Sequence, residues 1–293
     1  MIKDRNGNIL PEQNDQERFL TFLYCKTPGG LLLRLLCRRW ISNLGGAYMR
    51  SRLSRGRIKR LISGAGIDMS EYPAEEYRSF NEFFTRRILP GKRVVCTEKN
   101  AVVSPADSKL TVYDITANGK YIIKGGEYDI LTLLGGDIAL AGEFTGGKMF
   151  VYRLTVDNYH RYCFTDGGRE LARRFIPGVL HTVNPIATEH TDVFGKNCRE
   201  LTLLETDSFG LVAVLEIGAM MVGRINNAPA RERVERGEEK GYFSFGGSTV
   251  VLLYRAGTAV PDEDIAKNSA SGVETAVKYG ERTGCVPGTE QVL

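Results

Sequence analysis

Three places in the chain bring together residue types that could do chemistry. The first is Phe245-Gly246-Gly247-Ser248-Thr249-Val250-Val251, where two glycines precede a hydroxyl residue and an apolar run follows. Its ordinary reading is a bulge or tight turn entering a buried strand. Its chemical reading is attack of the Ser248 hydroxyl on the Gly247 carbonyl, which exchanges the peptide bond for an ester. Such attack needs an uncrowded carbonyl and an unusual backbone conformation, and glycine supplies both. It also needs a base for the hydroxyl and stabilisation of the oxyanion. The second place is His160, in Val156-Asp157-Asn158-Tyr159-His160-Arg161-Tyr162-Cys163. The chain holds three histidines, His160, His181 and His190, so any imidazole chemistry must use one of them. His160 follows a predicted strand directly, where a turn can aim it into a cleft or simply bury it. The third is Asp107 in Val103-Ser104-Pro105-Ala106-Asp107-Ser108. The Ser-Pro pair imposes an extended or turned backbone, and the aspartate after it either caps that turn or serves catalysis.

These residues need a scaffold. At 293 residues the chain suits one large domain, or one domain with a small appendage, and can bury a sizeable core. Its 33 glycines favour turn-rich β structure over a helical bundle. Residues 16–88 read as helical. Thr27-Pro28-Gly29-Gly30 is expected to break a first helix and Leu31–Trp40 to restart one. Ser54 is placed to cap a helix with Ile58, Leu61 and Ile62 on its apolar face and Gly64 as its stop. Ser79 with Glu82 is a capping box opening a short helix of Phe80, Phe83 and Phe84. From about Val94 the pattern becomes β: Leu110–Ile115, Tyr121–Lys124, Met149–Val156, Arg199–Glu205, Leu211–Ile217 and Thr249–Tyr254, with a hairpin turn at Thr206–Gly210. Without βαβ alternation, a doubly wound nucleotide-binding fold is not expected. The predicted class is α+β, a helical N-terminal segment followed by a mainly antiparallel, barrel- or sandwich-like β domain. Val286–Leu293 reads as a loose tail.

The net charge of +4 hides an asymmetry. Arg18 to Ile67 contains no acid and eleven basic residues, leaving −7 on the rest. Within it, Gly30-Leu31-Leu32-Leu33-Arg34-Leu35-Leu36-Cys37-Arg38-Arg39-Trp40 mixes an apolar face, arginines and the lone tryptophan. That suits an anionic lipid surface, each basic residue adding about 1 kcal/mol of attraction. It also suits a solvated basic face over a packed helix. No aromatic–basic ladder points to nucleic acid. No apolar run reaches the length of a bilayer span; Gly210–Gly223 is shorter and contains Glu216. The polar N-terminus is not a secretory signal, so a chain made and kept in the cytosol is expected. None of the six cysteines is spaced as CxxC, which argues against zinc or a redox motif and for thiols.

Taken together, the three places resemble the phosphatidylserine decarboxylase family, over about residues 16–282. Phe80-Asn81-Glu82-Phe83-Phe84-Thr85-Arg86-Arg87 with Pro90-Gly91 looks like the family's linker between helices and catalytic body. Ser104-Pro105-Ala106-Asp107 matches its aspartate segment, Tyr159-His160-Arg161 its histidine segment, and Val183-Asn184-Pro185 a strand after it. Gly246-Gly247-Ser248-Thr249 matches its processing site; Asn268-Ser269, Gly272-Val273-Glu274-Thr275 and Val277-Lys278 resemble its small-subunit end. The resemblance implies a proenzyme with a helical, membrane-associating segment 1–93 and a β-rich catalytic domain 94–293, cut between Gly247 and Ser248. It implies that Asp107 orients a histidine that deprotonates Ser248, as in a Ser-His-Asp arrangement. Ser248 then becomes a pyruvoyl group, a self-derived cofactor needing neither metal nor pyridoxal phosphate. That group forms a Schiff base with phosphatidylserine and yields phosphatidylethanolamine and carbon dioxide, His160 returning the proton to carbon. The large and small chains would form a heterodimer, with further oligomerisation, peripheral to the cell membrane on its cytoplasmic side. Many family members carry a second histidine three residues after the first, where this chain has Cys163. Either His160 serves both steps or another group helps, His181 being the reserve; His190 is read as structural or exposed. Two rivals remain: the same chemistry on another amine, and a non-catalytic lipid-surface module that kept the fold.

Overall fold

The computed structural model describes residues 1–11, 17–37, 39–123, 126–184, 186–187, 191–219, 224–245 and 248–289. Gly246, Gly247, His190 and Arg38 lie outside them. The helices are α1 (Glu17–Cys25), α2 (Thr27–Leu36), α3 (Arg39–Arg50), α4 (Gly56–Ala65), α5 (Phe80–Phe84), α6 (Ile130–Leu133), α7 (Ile138–Phe144), α8 (Val193–Lys196) and α9 (Glu263–Ala270). The strands are β1 (Ile2–Lys3), β2 (Ile9–Leu10), β3 (Ala101–Val103), β4 (Ser108–Asp114), β5 (Lys120–Ile123), β6 (Gly126–Asp129), β7 (Lys148–Leu154), β8 (Arg161–Cys163) and β9 (Gly168–Ile176). They continue with β10 (Arg199–Thr206), β11 (Gly210–Ile217), β12 (Ile225–Asn227), β13 (Arg233–Val234), β14 (Glu239–Phe243), β15 (Ser248–Tyr254), β16 (Val260–Pro261), β17 (Glu274–Val277) and β18 (Arg282–Cys285).

Among the described residues the main sheet has ten strands in the order β13-β9-β10-β11-β15-β7-β4-β17-β1-β2. It is antiparallel except where β1 runs parallel to β17. The α+β class holds. The sheet does not close into a barrel, because β13 and β2 are its two ends. It is layered instead. A small sheet, β12-β14-β8, lies over one face. Lys240 there pairs with Glu216 of β11, and Asn227 donates to Glu200 of β10. The other face is covered by short helices. There the buried Arg199 donates to the carbonyls of Thr132, Leu133, Gly195 and Asn197, the exposed ends of α6 and α8. Strands β7, β11 and β15 are buried on both faces and form the middle of the core.

Several local expectations shift for physical reasons. The chain breaks between Cys25 and Thr27, and Thr27-Pro28 opens α2 rather than interrupting it, since proline is tolerated in a first turn. Gly29 is needed there: a Cβ would meet the Phe22 carbonyl oxygen at 1.9 Å. Ser54 caps no helix. It is buried, donates to the carbonyls of Met49 and Ser51 and accepts from the Phe80 N–H, tying α3 to α5. Helix α4 runs through Gly64 and stops at Gly66, whose φ of +62° gives the left-handed cap. Val183 and Asn184 lie in no strand. Residues 1–10, expected within the helical segment, join the sheet as β1 and β2, locked by Arg5 to Asp262 and Asp264.

The capping box is present in altered form. Ser79 Oγ accepts from the Glu82 N–H at 3.2 Å, and the Glu82 carboxylate accepts from the Arg78 N–H. It fixes α5 so that Phe80, Phe83 and Phe84 fill a second core with Met49, Ile58 and Tyr77. Val156 and Phe245 pack against that core, which brings the helices onto the two β-domain segments that flank the chemistry.

Candidate active site

Strand register gathers the three sequence-predicted places at one end of the main sheet. Ser248 opens β15 and stands opposite Leu154, the last residue of β7. Lys109 pairs with Arg153, so Ser108, at the start of β4, is next to Leu154 on its other side. Asp107 precedes β4, the loop to His160 follows β7, and Ser248 begins β15. Asp107 and Ser248 are two strands apart, roughly 10 Å at ordinary interstrand spacing.

His160 is buried and its ring lies tilted against that of Phe84, centroids 3.8 Å apart. Its Nδ1 lies 2.9 Å from the Asn158 carbonyl oxygen, which can only accept. This assigns the proton to Nδ1 and leaves Nε2 as a lone pair. Burial pushes the imidazole down to about 3, so it is neutral at physiological pH. Nε2 has no hydrogen-bond partner among the described residues, and neither has the buried Ser248 Oγ. The loop carrying His160 is held by Lys109, whose ammonium donates to Thr155 Oγ1, Asp157 Oδ2 at 3.0 Å and Asn158 Oδ1 at 2.9 Å. Burial pushes Asp157 up, but the Lys109 charge together with hydrogen bonds from Thr155 and Lys109 more than offsets it and holds the carboxyl below its usual range.

Ser248 faces the small sheet, because it shares a face with Val250, which stands opposite Glu216. His160 sits at the leading end of that small sheet, its carbonyl accepting from the Phe243 N–H. Helix α5 braces both sides. Phe84 lies against His160 and Phe245, and Asn81 Oδ1 accepts from the Phe245 N–H, three residues before Ser248. The segment resembling a linker is thus part of the site.

Among the described residues Asp107 has no hydrogen bond to His160. Its Oδ1 accepts from Arg93 Nε at 2.9 Å and from the Tyr279 N–H at 2.8 Å, and its Oδ2 accepts from Arg93 Nη2 at 2.6 Å. The guanidinium also meets Glu71, whose carboxyl it holds below the usual range. Among the described residues a backbone carbonyl meets the imidazole Nδ1, and the aspartate belongs to an ion-pair cluster with Arg93 and Glu71. Cys163 is fully buried, close to the Ser104 carbonyl, with its thiol pushed up to about 12 by burial. It is no neutral-pH base. His181 faces the N-terminal helices, its Nδ1 met by the Tyr24 hydroxyl at 3.1 Å and the Cys37 thiol at 3.4 Å. All six cysteines are thiols.

Sequence reasoning missed Arg93, Glu71, Tyr279, Asn158 and Phe84. Only Phe84 carried a signal, as part of an aromatic-rich helix after a capping box.

An unpaired buried hydroxyl at a strand start, with an unpaired buried imidazole nitrogen over the same sheet face of an α+β scaffold, is the combination that nucleophile-and-base chemistry requires. Comparison with known proteins gives the family. The phosphatidylserine decarboxylase family model matches residues 80–285. The chain is 44% identical over 277 residues to phosphatidylserine decarboxylase proenzyme 2 of Clostridium acetobutylicum, covering 94% of each chain. It is 38% identical to the phosphatidylserine decarboxylase proenzyme of Ruminiclostridium cellulolyticum over 93% of each. With the proenzyme of Fusobacterium nucleatum it shares 36% identity over 97% of this chain and 96% of the relative. The chain belongs to the phosphatidylserine decarboxylase family.

Proposed function

We propose that this chain is a phosphatidylserine decarboxylase proenzyme that cuts itself between Gly247 and Ser248 and then converts phosphatidylserine to phosphatidylethanolamine and carbon dioxide. The observation that carries the reading is the matched pair of unpaired atoms, one donor (Ser248 O–H) and one acceptor (His160 Nε2), at one end of the sheet. Buried polar groups in folded proteins are almost always paired, so two complementary exceptions in one site call for a role.

In the cut, His160 Nε2 takes the hydroxyl proton while Ser248 Oγ adds to the Gly247 carbonyl carbon. The C–N bond breaks, the nitrogen takes up the proton, and an ester links the two residues. Elimination across Cα–Cβ of Ser248 releases Gly247 as a carboxylate and leaves a dehydroalanine. Addition of water and loss of ammonia turn this into a pyruvoyl group at the head of the small chain. Ser248 fits as its source, leading β15 with a buried, unpaired hydroxyl. The pyruvoyl ketone supplies an electrophile for the substrate amine and an electron sink as carbon dioxide leaves. Phe84 and Asn158 hold His160 in place, and His160 returns the proton to the substrate carbon.

The cut would not release residues 248–293. Strand β15 lies between β11 and β7, β17 between β4 and β1, and β18 pairs with β3. The products are a large and a small chain held as a heterodimer, with further oligomerisation. The domain division is a membrane-associating segment within residues 1–93 and a catalytic domain from 94 onward. No described helix is long and apolar enough to cross a membrane. Exposed Leu31, Leu44, Tyr48 and Leu53 lie among exposed Arg50, Arg52, Arg55 and Arg57, which suits peripheral contact with an anionic bilayer on the cytoplasmic side of the cell membrane.

Mass spectrometry of the purified chain tests the reading. Two chains, 1–247 and a pyruvoyl-headed 248–293, are expected, with Ser248→Ala remaining whole at 32.5 kDa. A whole wild-type chain with unmodified Ser248 would sink it. Release of carbon dioxide from free serine alone, and not from serine lipid in bilayers, would move the substrate to another amine.

A further inference from the structure

Lys240 and Glu216 take no part in the chemistry above, yet both side chains are at 0% exposure and pair at 2.9 Å. Lys240 is the extra residue of a bulge: β14 pairs Glu239 with Cys163 and Gly241 with Tyr162, leaving Lys240 unmatched. Bulges re-aim a side chain, and this one turns Lys240 from the small sheet into the main one. The second Glu216 oxygen accepts from Asn227 Nδ2 at 2.9 Å, and that amide also donates to Glu200 at 2.8 Å. Asn227 Oδ1 in turn accepts from the Tyr162 hydroxyl at 2.9 Å.

The connected residues fall into two sets. Tyr162, Asn227 and Lys240 belong to the small sheet, at whose leading end His160 sits. Glu216 and Glu200 belong to the main sheet, Glu216 standing opposite Val250 on the face shared with Ser248. A buried ion pair adds little net stability, because desolvation offsets the attraction and well-packed apolar residues often do as well. The hydrogen bonds that Asn227 makes to Glu216, Glu200 and Tyr162 give something apolar packing does not, a fixed offset between the layers.

We infer that Lys240, Glu216, Asn227 and Tyr162 are positioning residues that set the offset between the layer carrying His160 and the strand carrying Ser248. The inference rests on the self-cleavage proposed above and adds the element that aligns its base with its nucleophile. A misplacement of about 1 Å costs on the order of 10²-fold in rate.

The test uses the full-length chain, with cleavage followed by mass on freshly made protein well below its melting temperature. The double variant Lys240→Met with Glu216→Met is expected to melt at or above the wild-type temperature and to cleave about 10²-fold more slowly. It should also accumulate less hydroxylamine-sensitive ester, because the first step is the one that suffers. Tyr162→Phe removes one bond and no charge; a several-fold slower cut at near wild-type melting temperature is expected. Cleavage at the wild-type rate in both overturns the inference and leaves the self-cleavage reading intact. Should the double variant not fold, Tyr162→Phe decides alone. An uncleaved wild type overturns both.

Discussion

At the Asp107 corner of the sheet end both carboxylate oxygens are engaged, by Arg93 and the Tyr279 amide, and Arg93 is shared with Glu71. Two strands away, at the Ser248 corner, the buried hydroxyl and the His160 Nε2 proposed to serve it have no partner among the described residues. Both corners are built from strand starts on one sheet, and both carry residues that the family resemblance marks. The difference separates their work. A group whose bonds are all made holds structure in place, since using it means first breaking those bonds. A buried group left unpaired carries a standing cost of about 1–3 kcal/mol, and that free energy is recovered only when it meets its partner in the reaction.

The sharpest way to break this contrast is His160→Ala. It removes the unpaired imidazole acceptor, so the cut should slow by about 10²–10⁴-fold, the usual worth of a positioned base. Time-resolved mass of freshly made protein reads this directly, and cleavage within a few-fold of wild type would move the base elsewhere. Asp107→Ala should act in the opposite proportion. It strips Arg93 of one of two carboxylates in a mostly buried pair, at about 3 kcal/mol of stability, the low end for breaking such a pair because Glu71 stays. Chemical denaturation should show that loss, while the folded fraction still cuts itself. A variant of full stability that no longer cuts would return Asp107 to the chemistry.

Acid offers a smaller effect with a definite sign. His160 titrates near 3 in the folded chain and near its ordinary 6.5 when unfolded. Between those values the unfolded state binds a proton that the folded state refuses, so this residue's contribution to stability is whole above pH 6.5 and drains away as pH falls toward 3. The cut itself should show no inflection near pH 6.5, because folded His160 is already neutral there. A rate that halves near pH 6.5 would mean the imidazole is far wetter than its burial implies.

Sequence showed much of the frame and little of the wiring. Strands β7, β10, β11 and β15 were legible because short apolar runs bounded by Gly, Asp and Asn leave few alternatives, and the turn at Thr206–Gly210 follows from the same signals. The α5 cap was legible because it is local. Ser54 was misjudged because its partner, the Phe80 N–H, is 26 residues away. Arg93 had no local mark: an arginine 14 residues before an aspartate becomes its counter-ion only once β4 and the preceding loop are folded together. The order of Asp107, His160 and Ser248 along the chain was readable, and so was their shared position at strand ends. Which of them would stay unpaired was not, because that depends on what every neighbour does.

Cys163 gives the smallest effect and the finest discrimination. It occupies the position where many family members carry a second histidine, so a reader of the family pattern would assign it a share of the base's work. Its surroundings oppose that: the side chain is fully buried, its polar neighbours are the Ser104 carbonyl and the Tyr279 hydroxyl, and burial holds the thiol at about 12. At pH 7 the thiolate fraction is then about 10⁻⁵, too small to compete with an imidazole already in its basic form. Cys163→Ser keeps the size and the weak donor. Self-cleavage within about two-fold of wild type is expected, with a modest fall in melting temperature because a hydroxyl is costlier than a thiol to bury. Cleavage slowed ten-fold or more at unchanged stability would instead place the thiol among the working groups, and the line between paired and unpaired corners would have to be redrawn to include it.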